Sequence, residues 1–425
     1  MNIKKLSLTH YRSAEALSLD FHEKLNVFYG VNGSGKSTIL DATVILLSWM
    51  VSRIRHAGAS GRPVMENDIT NGKSTAIIEL AYVVDKQSID WKLVKSRKGH
   101  AGTEERSTLT GLNEFAKHLQ IQIADYQEQI NLPLFAYYPV NRAVLDIPLR
   151  IKEKHSFKLL TAYDDTLSGG ANFRTFFEWF REREDFENEL RRDQQSLFSE
   201  NNSQFPDPQL EVVRQAIYLF LPEFKNLTVR RNPLRMEVEK SGKRLTVNQL
   251  SDGEKCLMAM VGDLARKMAI ANPVRDNPLE GAGIILIDEI DLHLHPKWQR
   301  MVIPKLTAIF PNCQFVISTH SPHVITHVQP ECLYLLEQTE SGMRAQHPRE
   351  SYGKNTDRIL EDLMGLETTR PDKVSLELDC LYDEIDQGQL VDARQKIADL
   401  KTEIGEDPEL VKAEVLIKRK EIIGK

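Results

Sequence analysis

The segment Gly30-Val31-Asn32-Gly33-Ser34-Gly35-Lys36-Ser37 constrains the chain more tightly than any other stretch. It follows the apolar run Leu25 to Tyr29 and precedes a helical pattern, so it fits G-x-x-x-x-G-K-[ST] in the strand, loop, helix context that the motif requires. Gly30, Gly33 and Gly35 permit positive φ and let backbone N–H groups approach phosphate oxygens at the positive end of the next helix. Asn32, Ser34 and Thr38 complete the cradle. Lys36 is placed to neutralise the β- and γ-phosphates of ATP and Ser37 to hold Mg2+. A chain organised around such a loop is α/β.

Far downstream, Gly283 to Glu289 reads GIILIDE, a continuous apolar strand ending in two carboxylates, as expected of a buried central strand in a parallel sheet. Asp288 is placed to orient the Mg2+ shell. Glu289, one residue on, is a natural base for an attacking water. Between the two motifs, Ser251 followed by Glu254 reads as a capping box opening a helix with Leu257, Met258, Met260, Val261 and Leu264 on its apolar face. A fourth feature is His320, closing the apolar run QFVIST at a strand end.

Composition limits the alternatives. The chain has 425 residues, long enough for two to three domains, and 55 Lys and Arg against 61 Asp and Glu give a net charge of −6. No chain-wide positive field recruits nucleic acid, so any such contact must be local. Three basic clusters are candidates: Arg53, Arg55 and Arg62; Lys92, Lys95, Arg97 and Lys98; Arg230, Arg231, Arg235, Lys243 and Arg244. Each is either a nucleic-acid face or the solvated side of a strand or hairpin. The four cysteines form no C-x-x-C pair and read as free thiols in a reducing cytosol. The opening residues lack a signal-peptide core, and Val44 to Val51 is too short to span a bilayer, so a soluble cytoplasmic protein without a membrane partner is expected.

The order of phosphate loop, Leu-Ser-Asp-Gly-Glu, Asp-Glu strand and Ser-Thr-His-Ser resembles the complete motif set of ABC-type ATPases. The resemblance implies an ABC-type head, a mixed and parallel sheet flanked by helices, with a helical insertion and a helical tail. It implies that Ser251, Gly253 and Glu254 face the nucleotide bound by another subunit, giving a homodimer with two shared ATP sites that assembles further. His320 then matches the switch histidine beside the γ-phosphate, and Asp291 falls in the dimer-contacting loop. Tyr11-Arg12-Ser13 is similar to the opening element of the RecF, OLD and chromosome-maintenance branch, in which the arginine, here Arg12, reaches the phosphates. The branch's Mg2+-ligating glutamine is absent, and Asn141 and Arg142 occupy that region.

The whole layout, including Tyr-Gly-Lys-Asn-Thr-Asp-Arg-Ile-Leu before the tail, resembles the PtuA family, the ATPase subunits of Septu and Septu-like retron antiphage systems. That implies a slow, regulatory ATPase controlling a separate HNH nuclease subunit, joined in retrons by a reverse transcriptase with its multicopy DNA. The tail has neither the length nor the strands of a TOPRIM nuclease domain. A RecF-like repair ATPase that binds DNA directly is the alternative. The expected organisation is a head in two parts, 1–103 and 241–349, a mainly helical insertion at 104–240 with a return strand near 132–138, and a partner-binding helical tail at 350–425.

Overall fold

The computed structural model describes residues 1–99, 105–126, 129–140, 158–168, 173–194, 206–340 and 342–423. Asn141 and Arg142 lie outside them. The chain divides into two compact units, Met1–Lys354 and Asn355–Lys425.

In chain order the strands of the first unit are β1 (Asn2–Tyr11), β2 (Ala14–Asp20), β3 (Leu25–Tyr29), β4 (Thr75–Val84), β5 (Gln87–Ser96), β6 (Leu134–Tyr138), β7 (Phe224–Arg231), β8 (Leu234–Lys240), β9 (Lys243–Thr246), β10 (Gly283–Ile287), β11 (Cys313–Ser318), β12 (Leu333–Thr339) and β13 (Gly342–Gln346). Its long helices are α1 (Lys36–Arg55), α2 (Thr110–Asp125), α3 (Phe173–Gln194), α4 (Pro208–Phe220), α5 (Asp252–Ala271) and α6 (Pro296–Ile309).

The central sheet runs β13-β12-β3-β11-β10-β6, parallel except for β13. All five residues of β10 and all six of β11 are buried, which is why neither alternates in polarity. A second sheet, β2-β1-β4-β5, is antiparallel. Here one face is covered: Leu6 and Leu8 of β1 are buried opposite Leu19 and Leu17, whereas Lys5 is exposed. Helix α1 packs between the sheets, touching β4 on one and β6 and β11 on the other. It is the single described helix long and apolar enough to cross a membrane, and its apolar residues are instead committed to this core.

Helix α5 is buried nearly all round, by β6, α3 and α4. The aromatic stripe of α3 forms the contact: Phe176, Phe177, Trp179 and Phe180 are fully buried. Gly262 of α5 must be small, because a Cβ there would lie 2.8 Å from the Phe176 ring.

The second unit holds helices Asp372–Asp386, Leu390–Ile404 and Pro408–Ile423, closed around Leu378, Leu381, Ile397, Leu400, Leu410 and Ile417. Gly388 and Gly405, both at positive φ, turn the chain between them. Arg370 clasps Asp407 with two bonds of 2.9 and 3.1 Å.

Candidate functional site

In parallel register, Phe28 of β3 lies opposite Ser318 of β11, and Ile287 of β10 opposite Ile317 and Tyr138. The C-terminal ends of four strands therefore share one sheet edge, the usual place for a ligand in an open α/β sheet. The phosphate loop leaves β3, Asp288-Glu289 leaves β10, and Thr319-His320 leaves β11.

Gly33 and Gly35 sit at φ 83° and 104°, conformations that favour glycine. A Cβ at Gly33 would meet nothing within 4 Å, so the cradle is open there; one at Gly35 would collide with Met343 Sδ of β13. Lys36 Nζ donates to the Gly30 and Val31 carbonyls at 2.9 and 3.0 Å, closing the loop on itself. Ser37 Oγ donates to Asp288 Oδ2 at 3.1 Å, and Ser318 Oγ donates to the other carboxylate oxygen at 2.5 Å. The Glu289 N–H donates to the same Ser318 hydroxyl, with Glu289 at φ 46°, a left-handed conformation that costs a non-glycine residue about 1 kcal/mol. Asp291 accepts from Thr319 Oγ1 at 2.5 Å and from the His320 N–H at 3.3 Å, so it ties the histidine segment to the loop after β10 within one chain.

The electrostatics converge as well. Burial lowers the Lys36 pKa while Glu289, Asp288 and Asp291 pull it upward. His320 is lowered from 6.5 by burial and then by Lys36, against the same three carboxylates. Three anions facing one lysine leave a local excess of negative charge. Together with the hydroxyl and carboxylate oxygens of Ser37 and Asp288, this donor set fits Mg2+. The buried Ser34 Oγ, without a hydrogen-bond partner among the described residues, and the open cradle at Gly33 fit a phosphate group.

Ser251 caps α5 and accepts from the Glu254 N–H, while Glu254 Oε2 takes the Ser251 N–H at 3.1 Å, a closed capping box. Lys240 of β8 pairs with Glu254 at 2.5 Å; burial works against the Glu254 carboxylate, but Lys240 and Ser251 outweigh it and lower its pKa. Ser251 and Asp252 are exposed, and Gly253 abuts the loop after β10: a Cβ there would lie 2.8 Å from the His293 carbonyl oxygen.

Arg12 is held away from simple solvent exposure by two acids. Its Nε donates to Asp68 at 2.9 Å and its Nη2 to Asp41, which also receives Tyr11 Oη and both Nη atoms of Arg62. Arg62, grouped above with a basic cluster, thus shares a carboxylate of the phosphate-loop helix with Arg12. Sequence spacing alone carries no signal of this. Three residues of the third basic cluster are likewise paired: Arg230 and Arg235 share Glu237, and Arg231 bonds Glu184 and Asp185 of α3, whereas Lys243 and Arg244 are exposed. His295 is the N-cap of α6, with Nδ1 accepting from the Lys297 N–H, and among the described residues no group of three His, Cys, Asp or Glu side chains could hold a metal.

The family model described as "AAA domain, putative AbiEii toxin, Type IV TA system" matches residues 25–326. The chain is 32% identical to Retron Ec83 probable ATPase of Escherichia coli, over 88% of this chain and 78% of that one. It is 32% identical to Retron Vc95 probable ATPase of Vibrio cholerae serotype O1 biovar El Tor, over 85% and 78%. To Septu protein PtuA of Bacillus thuringiensis it is 26% identical, over 87% and 85%.

Proposed function

The chain belongs to the family of ABC-type ATPases that includes the retron ATPases and Septu PtuA, and from that premise we propose that it is a slow regulatory ATPase controlling a nuclease carried by another polypeptide. The observation that best supports the ATPase part of this reading is the shared sheet edge, which brings Lys36, Ser37, Asp288, Glu289 and His320 to one site, and the regulatory part rests on the likeness to the retron and Septu proteins.

In this reading the backbone of Asn32 to Thr38 cradles the phosphates, and Lys36 exchanges its carbonyl partners for phosphate oxygens. Ser37 and Asp288 would hold Mg2+, which supplies positive charge to the phosphate oxygens. Glu289 accepts the proton of the attacking water. His320, kept neutral near pH 7, orients that water. The N-terminus of α5, with Ser251 exposed, Gly253 beside it and the buried Glu254 holding the cap behind them, meets the nucleotide of a second copy, so two sites form between two chains and ATP acts as the ligand that closes them. Arg12 reaches the nucleotide by leaving Asp41. Partners of the family's kind follow: an HNH nuclease and, in a retron setting, a reverse transcriptase with its multicopy DNA. Direct DNA binding through Arg230, Arg231 and Arg235 is disfavoured by their pairing with Glu184, Asp185 and Glu237.

Purification from the native operon tests the assembly. A nuclease subunit is expected to travel with the chain; a chain that purifies alone and restrains no nuclease in cells overturns the regulatory role. The histidine's role has its own test. Since burial and Lys36 lower its pKa from 6.5 in the free protein, kcat/KM should fall on acidification with a midpoint under 6.5. Replacing His320 by Gln should remove that acid limb from the kcat/KM–pH profile.

A further inference from the structure

Three charged residues on α5 play no part in the site described above. Asp263, Arg266 and Lys267 are 0%, 4% and 2% exposed. Asp263 Oδ2 accepts from Tyr138 Oη at 3.1 Å and from Lys267 Nζ at 2.7 Å, and its Oδ1 accepts from Arg266 Nη2 at 2.8 Å. Lys267 Nζ also stands 5.7 Å from the centroid of the Tyr138 ring. Burial opposes the Asp263 carboxylate, yet Lys267 and Arg266 outweigh it and keep the pKa low. Arg266 Nε has no hydrogen-bond partner among the described residues.

Such a cluster is an expensive way to pack a helix. Each ion removed from water costs several kcal/mol, and well-packed apolar side chains commonly serve stability as well or better. What the ions add is direction. An apolar face can slide or turn on its neighbour; Arg266 and Lys267 lie on α5 itself and hold Asp263 ionised and oriented, while the Tyr138 hydroxyl, from β6, is the bond that fixes the helix against the sheet, with Lys267 beside the same ring. Tyr138 carries that grip onward, because its own carbonyl accepts the Asp288 N–H at 2.9 Å. Asp288 in turn receives Ser37 and Ser318. A bonded line therefore runs from the middle of α5 to the carboxylate of the candidate Mg2+ position.

We propose that Asp263 and Tyr138 are positioning residues for ATP hydrolysis, tying the axial position of α5 to the strand end that places Asp288 and Glu289. The inference rests on the reading that the α5 N-terminus meets a nucleotide bound by a second copy. Engagement at that end then adjusts the chain's own hydrolytic residues, and the two sites of a dimer act together.

Steady-state hydrolysis, titrated with Mg-ATP, is measured on the wild type, Tyr138→Phe, Asp263→Asn and the double variant. Tyr138→Phe keeps the ring against Lys267 and removes only the hydroxyl. Its kcat should fall about tenfold, with KM within about twofold and an essentially unchanged thermal midpoint. The double variant should be no slower than Asp263→Asn alone, since both cut one line. Should Asp263→Asn leave its two cations unpaired and fail to fold, Tyr138→Phe still decides the matter. A wild-type kcat in Tyr138→Phe overturns the proposal, as does a loss confined to KM or to thermal stability, which marks a structural role. A wild type that hydrolyses no ATP overturns the underlying reading and this inference with it; a normal wild type beside an unaffected Tyr138→Phe overturns the inference alone.

Discussion

Glu289→Gln is expected to lower kcat for ATP hydrolysis about a thousandfold while leaving nucleotide affinity nearly unchanged, within the range of removing one general base. The amide is close in shape to the carboxylate, so the left-handed turn at Glu289 and its N–H bond to Ser318 should survive. What disappears is the basic oxygen that takes the water's proton. Because binding persists when turnover does not, nucleotide-closed dimers should accumulate, visible as an ATP-dependent rise in mass by light scattering. Hydrolysis at the parental rate would remove Glu289 from the chemistry and leave the base to be sought among its neighbours.

The second large effect lies at binding. Lys36→Ala should weaken ATP affinity roughly 300-fold, measured by titration calorimetry or a fluorescent analogue. Two charge-assisted contacts to phosphate oxygens, discounted for the water and carbonyl bonds they replace, contribute about 3–4 kcal/mol. Lys36 sits among Asp288, Glu289 and Asp291. Without it three carboxylates face the incoming polyphosphate unbalanced, so the variant should also show a steeper Mg2+ requirement. The two substitutions separate cleanly: one binds without turning over, the other scarcely binds.

Features set within about ten residues were legible in the sequence. The phosphate loop needs its glycines where φ is positive, the Ser251–Glu254 capping box closes as spaced, and GIILI is the buried strand its unbroken apolarity implies. The aromatic stripe of α3 is helix core. Legibility failed where a partner lay far along the chain. Arg12 meets Asp41 and Asp68, and Arg231 meets Glu184, so charges that look available in a linear count are already paired. The same holds for Asp263, Arg266 and Lys267. By sequence a charged run on an amphipathic helix is a solvated face; here β6, α3 and α4 cover α5 nearly all round and leave it none.

The strand that launches the phosphate loop is born long before either of its neighbours. Leu25 of β3 pairs with Phe315 of β11, 315 − 25 = 290 positions later, and Val27 pairs with Leu333 of β12, 333 − 27 = 306 positions later. At about 5–20 residues per second, β3 and the apolar α1 behind it wait roughly 15–60 s on the ribosome before the sheet can receive them. In that interval the one described helix long and apolar enough to cross a membrane is exposed, and its protection falls to the early β1-β2-β4-β5 sheet, whose strands all lie within the first 96 residues. The antiparallel layer is thus a nursery for the nucleotide site: it shelters α1 during synthesis, and substitutions that loosen it should cost soluble yield before they cost ATP binding.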